Sequence, residues 1–132
     1  MSVVDGTLSG YRGSEPIASK YSTEDAGTVT QATSPTTAVT INASHGAITM
    51  QAVASANTKY QFTVNNDRCL AGSIVLAIVE GKTVTSGEPL RVGIDAVADG
   101  SFNVIVHNHH ATNDSDAAPI VHFHLISPSS RV

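Results

Sequence analysis

The sequence predicts an all-β fold: a two-sheet antiparallel β-sandwich of about eight strands, the count of a jelly roll, behind an extended N-terminal arm. Three observations predict it. Thr, Ser, Val, Ala and Gly dominate a chain of 132 residues that has no Trp and only 5% aromatics, a balance that favours β-branched strand formers. Short runs alternate apolar and polar residues with a period of two, separated by turn formers. No stretch carries a sustained amphipathic helical period.

Residues 1–26 form the arm. "MSVVDGTLSGYRGSEPIASKYSTEDA" holds neither a strand nor a helix period and scatters Tyr11, Ile17 and Tyr21 singly among polar residues. A solvated tail gains nothing from such side chains, so these three are the expected docking contacts of the arm. The start has neither a basic nor an apolar leader region, and no apolar run reaches the roughly 18 residues of a membrane span. The expected place of synthesis is a cytoplasm, with no membrane partner.

Residues 27–132 form the sandwich. "GTVTQATS", "TAVTIN", "HGAITMQAV" and "KYQFTVNN" set Val, Ile and Phe against Thr, Gln and Asn and read as half-buried strands. "SIVLAIVE" is more continuously apolar, so it is expected to be central or covered on both faces. "PLRVGIDAV", "SFNVIVHN" and "PIVHFHLI" complete the series. The breaks fall at Pro35, at Ser44 to Gly46, at Ser55 to Thr58, and at Asn65 to Asp67, Gly81 to Gly87, Asp99 to Gly100 and Asn113 to Asp116, where turn-forming side chains mostly gather. Another Greek-key or Ig-like sandwich is the alternative architecture.

Charge and cysteine content narrow the function. Charged residues make up 14% and the formal net charge is -4, so no basic face is expected to follow a nucleic-acid backbone. The single cysteine, Cys69, excludes an intrachain disulfide and lacks any nucleophile signature, so it is expected to be a buried thiol. The acidic residues sit mainly in turns and in the arm, with no pair at the spacing of a joint acid/base site. There is no G-x-S-x-G elbow and no glycine-rich phosphate loop. No enzyme and no cofactor is expected.

The unusual feature is "HNHHATNDSDAAPIVHFHLI", which holds five of the six histidines. Strand alternation puts Phe102, Val104 and Val106 on one face and Ile105, His107 and His109 on the other. In the last strand it puts Val121, Phe123 and Leu125 inside and Ile120, His122, His124 and Ile126 outside. A solvated outer face rarely carries isoleucines at alternating positions, so Ile105, His107, His109, Ile120, His122, His124 and Ile126 are the expected oligomer interface. His107, His109, His122 and His124 are also candidate metal ligands. Two of them can share an ion within one chain only if the last two strands form a hairpin; in a jelly roll their outer faces look in opposite directions.

Two named motifs fail on spacing. Gly100, His107, His109 and Asp114 are similar to the G-x5-H-x-H-x3-4-E motif of cupins, but six residues separate Gly100 from His107, the acid is Asp, and no second motif follows. The letters "HNH" spell a nuclease name whose site needs a helix that this sequence does not offer.

The segments "GTVTQATSPTTAVTINASHGAITM", "FTVNN", "SIVLAIV", "AVADGSFNVIVHN" and "APIVHFHLI" resemble a family of small tailed-bacteriophage virion proteins commonly found with capsid genes. The resemblance spans roughly the last hundred residues. It implies a β-sandwich that works on the capsid exterior as a decoration, or cement, protein, a homotrimer at local three-fold positions bound to the major capsid protein. The arm, through Tyr11, Ile17 and Tyr21, would then contact the capsid. A fibre or appendage module that binds a host surface, and a small cupin-like metal-binding protein, are the alternatives.

Overall fold

The computed structural model describes residues 25–53, 57–80, 89–110 and 118–128. The strands are β1 (Ala26–Thr30), β2 (Val39–Thr40), β3 (His45–Thr49), β4 (Thr58–Asn65), β5 (Ile74–Glu80), β6 (Arg91–Ala98), β7 (Ser101–Asn108) and β8 (Ile120–Ile126). Each lies within or beside one of the eight runs read from the alternation. The described residues contain no helix. The arm residues Tyr11, Ile17 and Tyr21 lie outside the described residues.

Two four-stranded sheets face each other, in the orders β1-β3-β8-β5 and β2-β4-β7-β6. Every connection up to β6 crosses from one sheet to the other, β6 to β7 is a hairpin, and β8 returns to the first sheet. Crossing twice restores a strand's direction, which is why β1 pairs with β3, and β2 with β4, in parallel. The other four pairings are antiparallel. The sandwich therefore departs from the wholly antiparallel arrangement expected of it. Alternation decides which residues face inward; it carries nothing about which strands pair.

The core lies between the sheets. Phe62, Val64, Phe102, Val104 and Val106 come from one side and Ile48, Val121, Phe123 and Leu125 from the other, all buried. The rings of Phe102 and Phe123 meet across the layers with centroids 5.6 Å apart and planes at 56°, a tilted aromatic contact within the favourable range. Cys69 is buried and unbridged, and burial pushes its thiol pKa up, so it packs as a small apolar group.

Buried polar side chains close the ends. The Gln31 amide donates to the carbonyls of Thr37 (2.8 Å) and Pro35 (3.2 Å), while its oxygen accepts from the Gln51 backbone N–H (3.0 Å). The Asn66 amide donates to the Ala43 carbonyl at 2.7 Å, and its oxygen accepts from the Arg68 N–H at 2.9 Å. These bonds satisfy backbone groups where the chain changes sheets. Asp25 already belongs to this framework, through the Arg68 guanidinium (2.6 Å) and the Ser44 N–H (3.1 Å). The ordered sandwich thus includes Asp25 and Ala26, two residues ahead of the Gly27 boundary read from composition.

One element overturns its sequence reading. "SIVLAIVE" is β5, an edge strand of its sheet, covered on one face only among the described residues. Its inward residues Val75, Ala77 and Val79 pack on the core, whereas Ile74, Leu76 and Ile78 are exposed. The continuous apolar run predicts a cover that this chain's described residues do not supply.

Candidate functional site: an apolar and histidine-bearing sheet face

The last two strands lie in opposite sheets. With Phe102 and Phe123 both pointing inward, the outer faces of β7 and β8 look in opposite directions. Ile105 and His107, with His109 just past the strand, are on the outside of one sheet; Ile120, His122, His124 and Ile126 are on the outside of the other. The seven residues expected to share one interface are therefore two groups. His107 and His109 cannot share an ion with His122 and His124 in one chain. Among the described residues, no three His, Cys, Asp or Glu side chains are grouped to hold a metal ion.

Register builds the outer face of the β1-β3-β8-β5 sheet row by row. Ile126 is opposite Ile74, His124 lies between His45 and Leu76, and His122 lies between Ala47 and Ile78. Ile120 lies between Thr49 and Glu80 in the last row. Ile74 is 58% exposed, Leu76 54%, Ile78 65% and Ile126 45%. Isolated exposed aliphatics are ordinary, but four in adjoining positions form a patch of the kind that marks interaction surfaces.

Histidines run along the middle of this face. His45 is buried, with Nδ1 3.3 Å from the Ser44 hydroxyl, and its ring meets that of His124 edge-on at 5.8 Å and 63°. His122 Nε2 bonds the Glu80 carboxylate, its diagonal neighbour on β5. Leu76, Ile78, His122 and His124 wall a shallow groove of 350 Å³ floored by the backbone of Ala77 and Phe123. The face offers apolar contact with a few imidazole hydrogen bonds.

Three contributors escaped the histidine-led reading: Ile74, Leu76 and Ile78. Their signal was present in the unbroken apolar run of β5, which spoke for a covered second face without naming the cover. His45 was out of reach, because only the β3–β8 register brings it beside His124.

The outer face of the β2-β4-β7-β6 sheet differs. Register places Lys59, His107 and Arg91 in one row, Gln61, Ile105 and Gly93 in the next, and Thr63, Asn103 and Asp95 in the third. The Thr63 hydroxyl donates to Asn103 Oδ1 at 2.9 Å. Ile105 is the single aliphatic among these nine residues, so this face is polar and not a continuation of the apolar patch. Comparison of the chain with protein-family models, with curated proteins and with solved structures finds no match in any of the three.

Proposed function

We propose that this chain is a structural protein that self-associates through the outer face of the β1-β3-β8-β5 sheet and, as a homotrimer, decorates and braces a tailed-phage capsid on its exterior by contacting the major capsid protein. The observation that carries the self-association is the exposed aliphatic set Ile74, Leu76, Ile78 and Ile126. One feature favours a second copy of the chain as the cover. The patch carries no charge beyond Glu80, which His122 already engages, so it suits an equally apolar surface and asks for no charged complement. It also borders the edge strand β5, which has β8 on one side and no hydrogen-bonded strand on the other among the described residues. β6 of the facing sheet converges on that side of β5, so the outward face of β5, not its backbone edge, is the surface left to cover.

The virion location, the trimer and the capsid partner rest only on the resemblance of the strand pattern to small phage virion proteins. Physically the parts suit that work. Several modest contacts joined through one oligomer act together, so each copy needs only a small interface with the shell. No enzymatic step and no cofactor belongs to this reading.

The solution mass of the purified protein, measured by light scattering at neutral pH with and without EDTA, tests the assembly. A mass of three copies, unchanged by EDTA and reduced to one copy by Leu76→Glu with Ile78→Glu, is the expected result. A monomeric wild-type protein overturns self-association, and an EDTA-sensitive oligomer replaces it with metal bridging. Co-sedimentation with tailed-phage capsids built from the candidate major capsid protein tests the decoration; a trimer that never sediments with them overturns that part alone.

A further inference from the structure

Register brings Lys59 of β4, His107 of β7 and Arg91 of β6 side by side on the polar sheet, facing away from the apolar patch. Directly paired positions hold their Cβ atoms about 5 Å apart. Lys59 and Arg91 thus stand on either side of His107, each one strand away and each with a side chain long enough to reach over the imidazole. Both are exposed and His107 is half-buried between them. The His109 ring sits edge-on to His107, with centroids 6.0 Å apart.

The row has an unusual charge balance. The chain has a net charge of -4, yet two of its three described Lys and Arg residues flank one histidine. The third, Arg68, is spent on Asp25 and Asp67. Neither Lys59 nor Arg91 has a carboxylate partner among the described residues; Asp95, the one acid in these rows, is four residues from Arg91 along β6, about 13 Å at strand rise. Lys59 and Arg91, on the two strands that flank β7, repel each other across His107, and ordinary surfaces intersperse the two signs.

We propose that Lys59, His107 and Arg91 form an anion site that takes a phosphate-class oxyanion of charge near minus two. The chemistry of each residue fits one part of such a group. The Arg91 guanidinium offers parallel N–H donors in a planar fork, Lys59 offers a mobile point charge, and the His107 imidazole contributes an N–H from the floor. Two fixed positive charges match a dianion, and a monocarboxylate would leave one of them unmatched.

The site is also coupled to protons. Partial burial, then the neighbouring His109, Lys59 and Arg91, hold the His107 pKa below its ordinary value. An anion over the ring cancels the repulsion from Lys59 and Arg91 and favours the imidazolium, so binding of an oxyanion that keeps its two charges, such as sulfate, takes up a proton and strengthens as pH falls through the His107 titration. The site is independent of self-association, since it occupies the opposite sheet.

The test follows the His107 ring resonances by NMR on the full chain, with His107→Gln to assign them. The probes are inorganic phosphate and sulfate, added at constant ionic strength set with sodium chloride. The expected result is a saturable shift with both oxyanions, a His107 titration midpoint that moves up when sulfate is bound, and at least tenfold weaker binding in Lys59→Ala with Arg91→Ala. Both residues are exposed, and circular dichroism confirms that the double variant keeps its sheet. A linear response equal to that of chloride reduces the row to charge screening and overturns the proposal. Saturation by poly-glutamate with no response to phosphate or sulfate also overturns it, in favour of an acidic protein partner. Undiminished binding in the double variant shows that the anion sits elsewhere.

Discussion

Gly46 of β3 lies directly opposite Gly27 of β1, so close that a Cβ at position 46 would stand 2.3 Å from the Gly27 carbonyl oxygen and 2.9 Å from Ile41 Cδ1. The absence of both side chains lets Ile41, on the link from β2 to β3, fold down over the parallel pair. That packing closes the sandwich on the β1 side.

Gly46→Ala therefore forces backbone, not a flexible side chain, to move. A loss on the order of 3 kcal/mol or more is expected, at the severe end for overpacking. Gly93→Ala is the control, since a Cβ there meets nothing within 4 Å. Without a steric cost, the lower backbone entropy of the unfolded chain gives a change of up to about 1 kcal/mol in the stabilising direction. Urea denaturation of both variants checks the pair; equal losses would contradict the close approach.

The two aromatic rings at the centre carry a second prediction. Phe102 and Phe123 belong to different sheets, so either truncation opens a cavity between the layers. Phe102→Ala and Phe123→Ala are each expected to cost about 3–5 kcal/mol. The double variant should fall short of the sum by about 1 kcal/mol, the direct ring contact being lost only once. Additive losses in a double-mutant cycle would show that the rings merely fill space.

Asp25 contributes to acid sensitivity. Hydrogen bonding by the Arg68 guanidinium, then by Ser44, pulls its carboxyl from 3.8 to about 2. A depressed folded-state pKa means the stabilisation is fully present above the unfolded value and is lost as pH falls through the folded one. Wild-type protein should lose stability relative to Asp25→Asn as pH drops from 3.8 to about 2, and the two should differ by a constant amount above that window. Thermal melts across pH 2–6 check the sign. Because the pair is solvent-exposed, added salt should shrink the difference.

The extent to which these features could be read in advance follows a physical divide. Alternation alone places Phe102, Val104, Val106, Val121, Phe123 and Leu125 inside, because side-chain direction in a strand depends only on position parity. The turn between β6 and β7 is legible from Asp and Gly. At Asp99-Gly100 the structure uses the glycine at φ +86°, a left-handed conformation that the sequence favours. What stays hidden is pairing. The parallel β1–β3 ladder, the edge position of β5, the separation of His107 from His122 and the row of Lys59, His107 and Arg91 all depend on which strand lies beside which. Hydrophobic pattern says that the "SIVLAIVE" run wants cover on both faces, and it says nothing of whether a sheet of the same chain or another chain supplies it.

That separation gives the sharpest test of the assembly surface. Ile126 and Ile105 belong to the same alternating isoleucine set in sequence, but Ile126 stands opposite Ile74 on the apolar sheet, whereas Ile105 stands between Gln61 and Gly93 on the polar one. Ile126→Asp sets a carboxylate, with Ile74 across from it and Leu76 on the diagonal, into the proposed contact between copies. Burying that charge without a partner costs several kcal/mol, enough to dissociate an interface of modest size. Ile105→Asp adds a carboxylate to a face that already holds Asp95, Lys59 and Arg91, so it should leave the assembly intact. Light scattering should therefore report a lower mass for Ile126→Asp and the wild-type mass for Ile105→Asp. The reverse pattern would move the interface to the polar sheet, and unchanged masses for both would leave the β1-β3-β8-β5 face bare in solution and remove the argument for self-association.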